Sequence, residues 1–340
     1  NSGRDEQTPA ILMVRLKISN PTYKDKTAHI WLKANSIDNP LLEDLFVMDQ
    51  IDGQSYIRAK IDLPGGLVSS ATTRVDDDAV HVNFNVPASE SQSVYFYVPF
   101  PGDLTESYKS KFSSLDYSVE RDRIISYWRD IVNASTAFDV PERKFNEMAR
   151  SVITHIRMST TKDTKSGLFM VPAASFGYQV FANESAFQTI LLDKIGNFRT
   201  SADYLETFLQ LQGSVPMPGT YTGDQSAVFH GARVDEEYDY TAHRYNLDHG
   251  TVLWALGQHY LLSKDFAWIQ HAAPFMLKAA EWIIEQRNQT RIRDEEGEPV
   301  LHYGLLPAGH LEDNADWGFW FAVNAYAWLG LHTTAEAFKI

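Results

Sequence analysis

The sequence predicts an α+β multidomain protein. It divides into an antiparallel β-sandwich over residues 1–103, a linker with one helix over 104–140, and a helical domain over 141–340. Three observations carry this. Residues 11–100 alternate apolar and polar with period two; residues after Pro141 repeat with helical period; and the later helices come in two alternating kinds.

Five segments read as strands: 11–18 (ILMVRLKI), 27–34 (TAHIWLKA), 55–63 (SYIRAKIDL), 80–86 (VHVNFNV) and 94–100 (VYFYVPF). Gly, Pro, Asn and Asp punctuate them. In the fourth, Val80, Val82, Phe84 and Val86 face a core while His81, Asn83 and Asn85 face out. Short alternating strands at this spacing predict two packed antiparallel sheets. PGD at 101–103 ends the last strand, and 118–133 forms a linking helix.

After Pro141, the residues Phe145, Met148, Ala149, Val152, Ile153 and Ile156 fall on one stripe of a helix over 142–158. Helices 198–212 and 267–286 are amphipathic in the same way, with Pro274 a kink or a fresh start inside the latter. Helices 184–195, 248–262 and 317–331 are apolar on most sides, as helices buried all round are. Amphipathic and apolar helices alternate strictly, which predicts an outer layer wrapped around an inner one. Links from apolar to amphipathic helices are short, at 196–197 and 263–266. Links the other way are long: 159–183, 213–247 and 287–316. In an antiparallel arrangement all three long loops share one face, beside the N-termini of the apolar helices. Long loops on a rigid scaffold are where function concentrates.

Composition narrows the function. Lys and Arg number 30 against 44 Asp and Glu, a formal charge of −14. That excludes a nucleic-acid binder, which would carry a basic stripe, and disfavours an anionic membrane surface. Acidic runs such as DDD at 76–78 and DEEGE at 294–298 read as solvated loops. No apolar run approaches the ~18 residues of a membrane span. There is no cysteine, hence no disulfide frame and no thiolate metal site. A cytoplasmic or an exported bacterial-type protein fits equally. The 8 Trp, 16 Tyr and 19 Phe suit sugar stacking and core filling alike.

The three long loops deliver similar side chains. The first ends FGYQVFANES, with Tyr178, Asn183 and Glu184; the second ends NLDHG, with Asp248 and His249; the third reads GLLPAGHLEDNADWGF, with Glu312, Asp313, Asp316 and Trp317. Each apolar helix thus begins near a carboxylate and an aromatic or amide. Glu184, Asp248 and Asp313 also suit helix caps, and acids suit the dipole there. Capping explains neither the flanking aromatics nor loops this long. His249 and His310 lack a second His or Cys at ligand spacing, so no metal site is expected, and no cofactor motif appears. Paired carboxylates among aromatics suit glycosidic cleavage. One acid protonates the leaving oxygen, while a second carboxylate activates water or attacks the anomeric carbon.

Residues 120–340 resemble the six-hairpin, (α/α)6-barrel glycosidases, the superfamily of glucoamylase-like enzymes, α-L-rhamnosidases and glycogen-debranching enzymes. The segments that carry the resemblance are YWRDIV with FDVPERKFNEMAR, ESAFQTILLDKIG, LDHGTVLWALGQHYLLSKDFAWI and GLLPAGHLEDNADWGFWFAVNAYAWLGL. It implies roughly half of an (α/α)6 barrel, a carbohydrate substrate, and the remaining barrel helices supplied by further chain or a partner chain. It makes Glu312 the first choice for general acid, followed by Asp313. Glu184 and Asp248 would hold sugar hydroxyls, together with Asn183, His249 and Asp316, while Tyr178 and Trp317 would supply stacking surface. The family's general base comes from later helices, and no candidate for it stands in this sequence. A glycoside phosphorylase on the same scaffold and a non-catalytic carbohydrate-binding protein remain open as alternatives.

Overall fold

The computed structural model describes residues 11–33, 48–51, 54–62, 68–74, 79–99, 114–137, 139–163, 166–171, 179–233, 245–311 and 316–339. The chain is α+β and divides into two compact units, Asn1–Ser126 and Tyr127–Ile340.

The first unit holds seven described strands: β1 Ile11–Ser19, β2 Lys26–Lys33, β3 Met48–Ile51, β4 Gln54–Asp62, β5 Val68–Arg74, β6 Ala79–Val86 and β7 Ser91–Pro99. Every pairing among them is antiparallel. One sheet runs β1-β7-β4-β3 with β5 also on β4, and a second consists of β2 and β6. The expected alternation holds where side chains are described: Val82 and Val86 are buried, and Asn83 and Asn85 are exposed. Strand β7 departs from a one-sided pattern. Val94 and Phe96 enter a cluster with Val82, Val14, Ile30 and Phe84, drawn from both sheets. Tyr97 packs with Ile11, Met13, Leu115 and Tyr117, and its hydroxyl accepts the Tyr117 N–H at 3.0 Å. Successive side chains point to opposite faces, so VYFYV buries both. Strands β3 and β5 carry no apolar alternation in MDQI and VSSATTR, which is why the sequence does not announce them.

Helix α1, Tyr117–Asn133, starts on an Asp116 carboxylate that accepts the Val119 N–H at 2.9 Å. Then come α2 Arg143–Ser159, α3 Ala182–Lys194, α4 Phe198–Leu211, α5 Asp248–Ser263, α6 Phe266–Gln289 and α7 Phe321–Ala337. In α2 only part of the expected stripe is covered. Ile153 and Ile156 are buried, whereas Phe145 and Met148 are 52% and 55% exposed. Helix α6 runs on through Pro274 as one element. The short links close by capping. Gly196 has φ of 82° while the N–H of Asn197 returns to the Leu192 carbonyl, and Lys264 takes a left-handed turn before Asp265 caps α6 through the Trp268 N–H.

One large core joins α3 to α7 and takes in residues 217–229 of the second long loop. Helices α5 and α7 approach closely because glycines line their seam. A Cβ on Gly250 would lie 2.5 Å from the Ala327 nitrogen, and one on Gly330 2.8 Å from the Gly250 oxygen. Helices α3 and α5 are tied at the end away from the long loops by Asp193 and His259, both fully buried, with Oδ1 and Nδ1 2.7 Å apart. Burial pushes the Asp193 carboxyl above its ordinary range, against the pull of His259.

Candidate functional site

The three long loops meet. Residues Gln179–Val180 (β10) pair with Ala232–Arg233 (β11), which joins the first loop to the second, and Phe181 packs its ring on Tyr245. (β8 Thr161–Lys162 and β9 Phe169–Met170 form a similar ribbon within the first loop.) Second and third loops are stitched by Thr220, whose N–H and hydroxyl both reach the Ala308 carbonyl at 2.9 and 3.1 Å. Asn246 adds its amide to the Pro218 carbonyl and its N–H to the His310 carbonyl. A Cβ on Gly309 would meet Asn246 Oδ1 at 2.4 Å, so any side chain there has to displace the Asn246 amide. Trp320 donates its indole N–H to the Gly309 carbonyl at 2.9 Å, and Asn324 accepts the Leu306 N–H at 2.8 Å.

The third loop corrects the sequence reading at 317. Trp317–Gly318 (β13) does not open the helix; it pairs with Gly309–His310 (β12), and α7 begins only after Trp320. The N-cap position of α7 therefore belongs to Trp320. Caps are also absent from the expected places on the other two helices. The N-cap residues of α3 and α5 are Phe181 and Leu247, with no side-chain cap bond at either.

Asp248 does something else. It is fully buried in the first turn of α5, and its Oδ1 accepts the Asn183 N–H of α3 at 3.1 Å. A carboxylate on one helix thus satisfies an orphan donor at the N-terminus of the next. Asn183 is itself buried, and its Oδ1 has no hydrogen-bond partner among the described residues. Glu184 follows it, half-buried. Asp316 is exposed, and Trp317 is 52% exposed with its edge against His310, centroids 4.8 Å apart. Asn183 and Asp248 are thus in direct contact. His310, which pairs with Trp317, receives the N–H of Asn246, two residues before Asp248. Tyr178, Glu312 and Asp313 lie outside the described residues.

His249 takes a different place from the one its sequence position suggests. Its Nδ1 accepts the Phe229 N–H at 3.0 Å and its Nε2 faces the Ala279 carbonyl at 3.3 Å, so both nitrogens are engaged by main chain. The ring is wedged between Phe229 and Trp282. Burial lowers its pKa to about 4, which keeps the imidazole neutral. It holds the second loop on α6 and offers nothing to a ligand. Tyr221 is a similar anchor, stacked on Trp282 at 5.3 Å, with a phenol pushed above its ordinary value by burial.

The sequence reading missed three aromatic rings. Phe187, Trp254 and Tyr326 lie five, six and five residues past the starts of α3, α5 and α7. Their centroids are 5.7, 6.2 and 6.3 Å apart pairwise, and none is fully buried. Equal depth in three successive apolar helices is the signal that would have found them. Among the described residues no group of three or more His, Cys, Asp or Glu is placed to hold a metal, and no helix is long and apolar enough to cross a membrane.

No protein-family model matches the sequence, and no curated protein matches it. Among solved structures, the GH92-family glycosyl hydrolase CcMan5 is similar to 90% of this chain with a TM-score of 0.29 and 7% identity. The chain spans about half the length of that enzyme, 50% of it being covered.

Proposed function

We propose that this chain forms the substrate-binding part of a glycoside hydrolase that cleaves an oligosaccharide or glycoside by acid and base, with inversion. We read the two sheets of the first unit as a β-sandwich and the alternating helices as about half of a six-hairpin barrel. The observation that carries the reading is the buried Asn183–Asp248 contact, with Glu184 beside it, on a face where three loops converge. The contact fixes the loop ends of α3 and α5, half-buried Glu184 beside it can receive sugar hydroxyls, and the rings of Phe187, Trp254, Tyr326 and Trp317 supply surface for a pyranose face. Glu312 is the general acid of this proposal, with Asp313 next to it; Tyr178 and Asp316 complete the substrate shell. The exposed stripe of α7, with Phe321 at 83% and Trp328 at 63%, is where further barrel helices would pack.

Glu312→Gln tests the assignment in the whole enzyme, on any glycoside it turns over. Turnover should fall by at least about a hundredfold while sugar affinity stays within a few-fold. Undiminished turnover would remove Glu312 from the role. Release of a sugar 1-phosphate that depends on added phosphate would turn the reading toward a phosphorylase.

A further inference from the structure

Away from the loop face, α1 and α2 border a groove of about 430 Å³ lined by Trp128, Arg129, Val132, Asn133 and Arg150. The α1 residues fall at i, i+1, i+4 and i+5, one stripe of that helix, and Arg150 reaches the groove from α2. Trp128 and Val132 are half-buried, while Arg129, Asn133 and Arg150 are exposed. Other arginines on these helices have partners: Arg121 pairs with Asp122, Arg123 with Glu120, Arg143 with Glu147, and Arg157 donates to Thr200. Neither Arg129 nor Arg150 has an ion pair or side-chain hydrogen bond among the described residues. Two arginines without an ion-pair partner among the described residues thus border one groove, in a chain whose net charge is −14. An oxyanion in the groove gains forked, charge-assisted hydrogen bonds from guanidiniums that lack a carboxylate partner. The indole and Val132 give an apolar wall for a ring, and the Asn133 amide can both donate to and accept from hydroxyls. The groove is open to solvent, so a ligand there keeps one side in water.

We propose that this groove binds an oxyanion carried on a hydroxylated ring, a sugar carboxylate or a sugar phosphate. The site is independent of the reading of the loop face. The groove sits at the carboxyl end of α1, whose dipole opposes an anion, so both arginines are required.

The test is calorimetric titration of the intact protein with glucose 6-phosphate, with glucuronate, and with glucose as the uncharged control. One or both anionic sugars should bind and glucose should not; which one binds tells phosphate from carboxylate. Affinity should fall at least about tenfold when salt rises from about 0.05 to about 0.5 M. Arg129→Gln and Arg150→Gln should each weaken binding by at least about tenfold, and Arg129→Lys by less, because the charge remains without the fork. Both positions are exposed, and an unchanged melting temperature confirms that the variants fold. Failure of both anionic sugars to bind, equal binding of glucose, or affinity indifferent to both arginine substitutions would each overturn the proposal.

Discussion

Helices α5 and α7 lie side by side and are built from much the same residues, yet one is enclosed and the other is not. Eleven of the 16 residues of α5 are buried, against six of the 17 in α7. Helix α5 is also fastened by polar groups: Asp248 to α3, His249 to the second loop and α6, His259 to Asp193. Helix α7 packs its Val323, Ala327 and Gly330 side toward α5 and leaves Phe321, Ala325, Trp328, His332 and Ala335 exposed in one stripe. The contrast teaches that an all-round apolar helix records a need for cover on every side. Whether cover is present depends on neighbours, which the helix itself does not encode.

The largest effect that should separate the two helices is acid sensitivity in α5. Burial holds the pKa of His249 at about 4, below the ~6.5 of an unfolded chain. Below pH 6.5 the unfolded chain takes up a proton that the folded one refuses. Stability present above ~6.5 is therefore lost as pH falls toward 4, by about 3 kcal/mol in all. Urea unfolding at pH 7 and pH 4.5 should show a steeper loss for the native protein than for His249→Gln. Equal slopes would mean the ring is not sealed.

A second test breaks the seam. Gly250→Ala should gain about 1 kcal/mol of helix propensity yet lose up to about 3 to the clash with the Ala327 backbone, a net cost of about 2. A melting temperature unchanged or raised would show that the helices can separate cheaply. The smallest effect belongs to the open side of α7, where Trp328→Ser should change stability by no more than about 0.5 kcal/mol. A loss above about 2 kcal/mol would show that this face is covered in solution.

Much of the scaffold was legible. Period two in VHVNFNV gave the correct sides for Val82, Asn83, Asn85 and Val86, and the helical stripe after Pro141 placed Ile153 and Ile156 inward. The start of α7 was misread because a two-residue ribbon such as β13 has no period to recognise. The bond from Asp248 to Asn183 spans 65 positions, so no local pattern could announce it. His249, next to that aspartate at a loop end, looks in sequence like a group aimed at a ligand. Only the packing of Phe229, Ala279 and Trp282 around it reveals an anchor. Loop lengths conveyed the convergence of the three loops but not the contacts that join them: the pairing of 179–180 with 232–233, Thr220 on Ala308 and Asn246 on His310.

Those joins share a property with consequences for descent. Thr220 and Asn246 donate from the second loop to main-chain carbonyls of the third, those of Ala308 and His310, while the Asn246 amide and the Trp320 indole brace each loop from within on the carbonyls of Pro218 and Gly309. A carbonyl is the same acceptor whichever side chain its residue carries. Substitution at 218, 308 or 310 can therefore alter what the face displays without withdrawing the acceptor that holds it together. Three donor side chains and one glycine are kept under constraint, and the surrounding positions are left open to variation.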